Sequence, residues 1–240
     1  MILPEKKQTD IVLSVQGLGV QYATAQGPVH AVSDVSFDVY KNEVFGIAGE
    51  SGCGKSTLIR SLMRLLPDSS TMTASGLQYK GRDLLTMDDE TFRKQVQWQE
   101  ISLVPQSAMN SFNPVYRVGD QVIESMLAHR KMGKKEAAER AAELFDVVGL
   151  ETGLLRSYPH EFSGGMRQRA MIAMSLSLDP GLIVMDEPTT GLDVLVQERI
   201  LRRIREIRAE MESAIVLITH DIAVIAEMSD RIGIMYGGQM

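Results

Sequence analysis

Residues 49–56 indicate chemistry most directly, because their sequence GESGCGKS fits the pattern G-x-x-x-x-G-K-[ST]. Glycines at this spacing let backbone N–H groups turn inward around phosphate oxygens. Lys55 would reach the β- and γ-phosphates, and the Ser56 hydroxyl would hold Mg²⁺. The alternative, a glycine-rich turn before a helix, is disfavoured by the apolar run before the segment and the helical pattern after it. We therefore predict a site for ATP with Mg²⁺ formed by Gly49, Glu50, Ser51, Gly52, Cys53, Gly54, Lys55, Ser56 and Thr57.

A second anion site is predicted at Ser163-Gly164-Gly165, which stands at the start of a helical pattern. Free backbone N–H groups at a helix start can bind an anion. Unlike residues 49–56, this segment brings no lysine to a phosphate. One chain with two anion sites of different design suggests two half-sites that must meet across a dimer.

Asp186 and Glu187 follow the apolar run 182–185, so a buried strand would deliver two carboxylates at its C-terminal end. Ligands bind at that end of the strands in open α/β sheets. In this interpretation Asp186 holds Mg²⁺, and Glu187 orients and deprotonates the attacking water. On local grounds alone a solvated turn explains the pair equally well, and the upstream phosphate loop is what favours catalysis.

Three further side chains are candidates on weaker local evidence. His220 follows the strand pattern 214–219 and could contact the γ-phosphate, although a lone histidine is more often structural. Gln106 follows the strand pattern 101–104, where its amide could contact both Mg²⁺ and the lytic water, and an ordinary polar loop residue is an equal alternative. Tyr22 lies after the first predicted strand and could stack on adenine, or be partly buried at a strand edge.

The elements that would position these side chains alternate between strand and helix. Strand patterns cover residues 11–15, 29–40, 44–48, 76–81, 101–104, 182–185, 214–219 and 231–236. Helical patterns cover residues 55–66, 88–98, 118–129, 134–148, 164–178, 196–211 and 222–228. This order predicts an α/β fold with a mostly parallel sheet covered on both faces and an N-terminal antiparallel β region. Within a single domain 1–240, residues 1–104 and 164–240 would form the nucleotide-binding core, and residues 105–163 an inserted α-helical subdomain.

Composition argues against several other classes of protein. A net charge of −6 disfavours nucleic acid as the main partner. The single cysteine, Cys53, excludes an internal disulfide. No apolar run approaches about 18 residues, so no membrane span is predicted. The polar residues 1–10 do not have the apolar centre of a secretory signal.

Taken together, these motifs resemble those of ABC transporter ATP-binding subunits, which have the P-loop NTPase (RecA-like) fold, and the resemblance covers essentially the whole chain. Tyr22 is similar to the adenine-stacking aromatic residue of the A-loop. The remaining motifs follow in the family's order: residues 49–56 look like Walker A, Gln106 the Q-loop, residues 163–166 the signature, residues 182–187 Walker B with its catalytic glutamate, Asp193 the D-loop, and His220 the H-loop.

A narrower resemblance is to the oligopeptide, dipeptide and nickel importer ATPases, and to the first ATPase of their paired sets. It rests on residues 49–56, 105–114 and 158–169. Phe162 replaces the usual leucine of the signature, and Met166 replaces its glutamine, which leaves phosphate contact to Ser163 and the backbone. Asn42 stands where the family's turn usually has glycine, and asparagine tolerates the left-handed conformation that this turn needs. Because the chain stops inside a strand–turn–strand pattern, we also expect it to be a truncated form of a longer protein.

The resemblance implies an ATPase subunit of an importer, peripheral to the cytoplasmic face of the membrane. A second ABC ATPase subunit would pair with it, as a heterodimer or alternatively as a homodimer, and two MgATP would lie between them. Each nucleotide would meet the partner's copy of Ser163, Gly164, Gly165 and Met166. The helical subdomain would dock two transmembrane permease subunits, and an extracytoplasmic solute-binding protein would act indirectly. Peptide is the expected solute, with oligosaccharide or nickel as alternatives.

Two functions of other classes are weighed against this one. A soluble ABC ATPase of repair, chromosome maintenance or translation would use the same cassette, but the long coiled coils, zinc modules or tandem cassettes of those proteins are absent from this sequence. A non-hydrolysing nucleotide-binding module is disfavoured because both Glu187 and His220 are present.

Overall fold

The computed structural model describes residues 10–106, 111–189 and 194–240, with the backbone alone described for residues 207–211. The chain divides into two compact units, the first formed by Met1–Arg93 with Glu212–Met240 and the second by Lys94–Met211. Within the described ranges, no helix is both long enough and apolar enough to cross a bilayer.

Strands and helices alternate along most of the chain, as predicted. The strands are β1 (Ile11–Thr24), β2 (Gly27–Tyr40), β3 (Val44–Gly49), β4 (Ser70–Thr73), β5 (Gly76–Tyr79), β6 (Arg82–Asp83), β7 (Ile101–Val104), β8 (Leu182–Asp186), β9 (Ala214–Ile218) and β10 (Arg231–Met235). The helices are α1 (Lys55–Leu62), α2 (Asp89–Gln95), α3 (Val118–His129), α4 (Lys134–Val147), α5 (Gly164–Ser175), α6 (Val194–Met211) and α7 (Ile222–Met228). Two short 3₁₀ helices, Thr152–Arg156 and Pro159–Glu161, lie between α4 and α5.

An antiparallel sheet in the first unit is organised around β1. This strand pairs with β2 along its whole length, from Ile11 opposite Tyr40 to Thr24 opposite Gly27. Its other edge pairs with β5 and then with β4, and β6 adds to β5. The sheet buries one face because apolar residues recur along β1 and β2, among them Leu13, Val15, Leu18, Val20, Val32 and Val35.

Parallel strands in the same unit place the predicted phosphate loop. β3 lies between β10 and β9 and pairs in parallel with both. Its residues 44–48 are all buried, as expected for a parallel strand covered on both faces. The turn before β3 is formed as predicted, with Asn42 in the left-handed region at φ 55°. The phosphate loop therefore leaves the C-terminal end of a fully buried strand.

The second unit combines a parallel strand pair with helices. β7 and β8 pair in parallel, from Ile101 opposite Leu182 to Val104 opposite Met185. Along α3, Val118, Val122 and Met126 are buried, and along α4, Ala137, Ala141, Leu144 and Phe145 are buried. These residues recur at helical spacing, so each helix buries one face.

The predicted fold class is confirmed, with three local corrections. β1 continues to Thr24, so Tyr22 lies within the first strand and not after it. α1 ends at Leu62 and not at residue 66, because Arg64 turns to φ 51° and donates to the carbonyl oxygens of Leu84 and Met87. β4 and β6 were not predicted, since both are short and polar. The boundaries proposed for the helical subdomain, 105–163, stay a prediction.

An ion pair between a buried carboxylate and a partly exposed arginine joins the turn before β3 to the start of β10. The Glu43 carboxylate, only 1% exposed, accepts hydrogen bonds from the backbone N–H of Tyr40 at 2.7 Å and from the Arg231 guanidinium at 3.3 Å. Asp230 accepts from the N–H of Val44 at 2.8 Å. These contacts hold β10 in register beside β3.

We expect Arg231→Ala to lower the free energy of unfolding by about 2 kcal/mol, because it leaves a buried carboxylate without its cation. Urea denaturation of the two proteins measures the difference. Lys41→Ala is the matched control, since its ion pair with Glu212 is exposed and should contribute nothing measurable. Equal stability of Arg231→Ala and the parent chain would contradict the assigned role of this pair.

Candidate nucleotide site

The phosphate loop depends on glycines that lie against neighbouring backbone. Gly54 adopts φ 110° and forms the N-cap of α1. A Cβ added at Gly54 would lie 2.2 Å from the carbonyl oxygen of Ala31 in β2, and one added at Gly49 would lie 2.2 Å from that of Met235 in β10. Neither position can therefore hold a side chain without displacing a strand.

The Lys55 ammonium lies inside the loop. Its Nζ donates to the carbonyl oxygens of Gly49 at 2.7 Å and Glu50 at 2.6 Å, and the side chain is buried. The thiol of Cys53 lies 3.6 Å from the same nitrogen. Phosphate oxygens accept charge-assisted hydrogen bonds that are stronger than those of neutral carbonyls. The loop thus holds a buried cation where an incoming phosphate would compete favourably for it.

Tyr22, which lies in β1, forms a side-chain hydrogen bond with the start of α1. Its hydroxyl lies 3.2 Å from the hydroxyl of Thr57, the third residue of that helix. The structure therefore brings together two residues predicted from the sequence to contact ATP. Stacking of the Tyr22 ring on adenine stays a prediction.

In the second unit, parallel pairing brings the ends of β7 and β8 to the same edge. Gln106 follows β7 by two residues, Glu187 follows β8 directly, and the Gln106 Nε2 donates to the Glu187 Oε2 at 2.8 Å. Asp186 is buried, while Glu187 is half-buried with its backbone in the left-handed region at φ 48°. Such a conformation costs a non-glycine residue about 1 kcal/mol and recurs at functional sites.

The Ser-Gly-Gly segment forms a helix start, as predicted. Ser163 is the N-cap of α5, and its exposed hydroxyl accepts from the backbone N–H of Met166 at 3.3 Å. Gly164 and Gly165 supply the first two N–H groups of the helix, where no partner within the helix exists. The local geometry suits an anion, and the assignment as a signature motif stays a prediction.

His220 lies in the first unit, exposed between β9 and α7. Thr219 accepts from the N–H of Asp221 at 3.1 Å, and Asp221 caps α7 by accepting from Ala223 and Val224. The histidine is thus held between a buried strand and a capped helix. Asp193, the predicted D-loop residue, lies outside the described residues.

The residues present fit Mg²⁺ and a nucleotide triphosphate. Within the first unit the Ser56 hydroxyl, and within the second unit the Gln106 amide oxygen and the Asp186 carboxylate, are hard oxygen ligands of the kind that Mg²⁺ prefers. Because the Gln106 side-chain nitrogen donates a hydrogen bond to Glu187, the side-chain oxygen is the atom that could coordinate Mg²⁺. In the part of the chain that the structure describes, no group of three or more His, Cys, Asp or Glu could hold a metal alone.

Sequence reasoning missed the backbone neighbours that shape the loop. The Ala31 carbonyl oxygen leaves no space for a side chain at Gly54, and the Met235 carbonyl oxygen leaves none at Gly49. The N–H of Gly238 donates to the carbonyl oxygen of Cys53 at 3.0 Å. The only signal for such contacts was the glycines themselves, since a close backbone approach is one reason for a glycine.

Comparison with known proteins places these observations in context. The family model described as "ABC transporter" matches residues 32–190. The dipeptide transport ATP-binding protein DppD of Bacillus subtilis is 45% identical over 95% of this chain and 69% of the relative. The oligopeptide transport ATP-binding protein OppD of Escherichia coli is 41% identical over 98% of this chain and 69% of the relative.

Solved structures show the same fold. The dimeric post-hydrolysis state of the ATP-binding cassette MJ0796, bound to ADP and Pi, superposes with a TM-score of 0.85 at 25% identity, covering 95% of this chain and 96% of the other. A second similar structure is cbiO1 from Clostridium perfringens, part of the transporter complex cbiONQ, with a TM-score of 0.80 at 25% identity over 96% of this chain and 86% of the other.

Two glycine substitutions in the phosphate loop distinguish the effect of a steric clash with neighbouring backbone from the effect of a positive φ. Gly54→Ala should abolish ATP binding and destabilise the chain strongly, because its Cβ meets the Ala31 carbonyl oxygen. Gly52→Ala is the matched control, since Gly52 also has a positive φ (80°) but no atom lies within 4 Å of the added Cβ. We expect it to cost about 1–2 kcal/mol from conformation alone. Urea denaturation and titration with a fluorescent ATP analogue measure both, and equal effects of the two variants would contradict the contact model.

Proposed function

Because the chain belongs to the ABC transporter family, we propose that it binds ATP between two chains and uses hydrolysis to drive the import of peptides. The chain is an ATP-hydrolysing subunit of an ABC import system, with ATP as its substrate and Mg²⁺ as the metal. The observation that carries the proposal is its identity of 39–45% over most of its length to proteins named as peptide transport ATP-binding subunits.

Peptide as the solute is supported by the relatives' names. Three relatives that are 41–45% identical to this chain are named for dipeptide or oligopeptide transport. Oligosaccharide and nickel are the alternatives, since the sequence also resembles importers of those solutes. An ATPase subunit does not meet the solute itself, so its site residues cannot distinguish the three.

The chain's own residues would divide the chemistry as follows. The loop 49–56 holds the phosphates through backbone N–H groups and Lys55, and Tyr22 stacks on the base. Bound Mg²⁺ would neutralise phosphate charge, with Ser56, Gln106 and Asp186 as its protein ligands. Glu187 would act as the base for the attacking water, and Gln106 would also orient Glu187 through their hydrogen bond. His220 would contact the γ-phosphate.

A second chain is needed because the signature segment carries anion-binding N–H groups but no cation of its own within Ser163–Met166. We propose that it completes the site of the partner chain. A dimeric, ADP-bound cassette with the same fold supports this arrangement. The narrower resemblance to paired ATPases supports a heterodimer.

We propose that the helical subdomain docks two permease subunits at the cytoplasmic face of the membrane. Its exposed apolar side chains support the proposal, since Val115 and Tyr116, directly before α3, are 69% and 58% exposed. A solute-binding protein would act on the opposite side of the membrane and would not touch this chain.

Glu187→Gln tests the catalytic assignment. We expect unchanged ATP binding and a fall in turnover of about 100-fold or more, because the amide cannot accept the water's proton. Phosphate release measures turnover, and uptake of a labelled dipeptide by the assembled transporter should fall with it. Glu124→Gln, an exposed carboxylate on α3, is the matched control. Turnover at the parent rate would refute the base assignment, while transport of another solute but not of peptide would refute the solute.

Ser163→Arg tests the two-chain site. The arginine should block approach of the partner's nucleotide while leaving ATP binding to the chain's own phosphate loop intact. We expect binding within about twofold of the parent and loss of turnover. Ser163→Ala is the comparison, since it removes the hydroxyl that caps α5 and would contact the phosphate, at a cost of about 1 kcal/mol, without adding bulk. Unchanged turnover in Ser163→Arg would contradict the composite site.

A further inference from the structure

Two arginines from different helices bind the C-terminal end of α4. Arg169 of α5 donates from one guanidinium nitrogen to the carbonyl oxygen of Gly149 at 2.5 Å and to that of Val148 at 3.5 Å. Arg203 of α6 donates from Nε to the carbonyl oxygen of Val147. The last carbonyl groups of a helix have no partner within it and attract cations. Three helices of the second unit are therefore joined at one helix end.

Apolar contact completes this junction. Val148 at the end of α4, Ile172 of α5, and Ile200 and Ile204 of α6 are all buried and line one small cavity together with the two arginines. Gly149 permits the bend there, at φ 68°, and a Cβ at that position would lie 3.4 Å from the Arg169 guanidinium.

Burying Arg169 at this position costs folding free energy. Its Nε is buried and has no hydrogen-bond partner among the described residues. Burial, and secondarily the nearby Arg199, lower the pKa of the Arg169 guanidinium from its ordinary value. An apolar side chain of similar length would pack there without an unsatisfied donor. The arginine is therefore better explained by a role in holding the helices in fixed positions than by a contribution to stability.

One of the helices joined here, α5, begins at the segment predicted to act on the partner chain's nucleotide. α5 begins at the Ser163 cap, six residues before Arg169, and α6 begins at Val194, the residue after Asp193. A shift of α5 or α6 relative to α4 would displace the signature or the start of α6.

We propose that Arg169 and Arg203 are positioning residues that fix the signature helix and α6 to one another through the carbonyl oxygens at the end of α4. They act on hydrolysis in the partner chain's site and do not touch the nucleotide bound to their own phosphate loop. This inference rests on the proposed two-chain site.

The test uses Arg169→Met and Arg203→Met, which keep side-chain length and remove the donors. We expect ATP binding to the chain's own loop to stay within about twofold of the parent, and kcat to fall about tenfold or more, because a misplacement of 1 Å can cost that much. In the Glu187→Gln background, ATP-driven dimerisation measured by sedimentation should weaken by a similar factor. Arg169→Lys, which retains a cationic donor, should recover part of kcat.

Arg202→Met is the matched control, since Arg202 is exposed on the same helix next to Arg203. Thermal unfolding of each variant separates loss of fold from loss of position. Parent-like kcat in both methionine variants, or a kcat loss that only follows the folded fraction, overturns the inference. Ser163→Arg is measured alongside to separate failure of the positioning role from failure of the two-chain site. If the methionine variants have parent-like kcat and Ser163→Arg also leaves kcat unchanged, the two-chain site itself is wrong. If the methionine variants have parent-like kcat but Ser163→Arg abolishes it, only the positioning role is wrong.

Discussion

Close contact between backbones is the constraint on which the phosphate loop depends. β2 and β10 bring the carbonyl oxygens of Ala31 and Met235 to positions where Gly54 and Gly49 leave no room for a side chain. Both strands belong to sheets anchored by buried apolar residues, so the core and the loop's own glycines together set the shape of the loop. The antiparallel sheet is therefore part of the nucleotide site, although only Tyr22 among its residues was expected to contact ATP.

Strand pairing also positions Glu187, the predicted catalytic base. Parallel pairing of β7 and β8 places Gln106 and Glu187 at one edge, where a hydrogen bond of 2.8 Å joins them. An amide that binds the base on one side and offers its oxygen to Mg²⁺ on the other would link the arrival of the metal to the orientation of the base.

Much of this could be predicted from the sequence, for identifiable reasons. The phosphate loop, the carboxylate pair at the C-terminal end of β8 and the Ser163 cap depend on residue types at short spacing, which local physics governs. Strands and helices with regular apolar spacing, such as α3 and β7, were placed to the residue. The length of β1 was underestimated because register shifts after Val15 interrupt its alternation. The left-handed turn at Arg64 and the arginine contacts to α4 were not predictable, since their partners lie about 20 to 56 residues away.

The central claim is that one chain alone holds only half of each working site. The most direct measurement is turnover per chain as a function of protein concentration, with the second ATPase of the transporter titrated in separately. The account predicts that specific activity rises with the concentration of the chain, or of the second ATPase, and then saturates as dimers form. Turnover that depends on neither concentration, in samples shown by sedimentation to be monomeric, would contradict it.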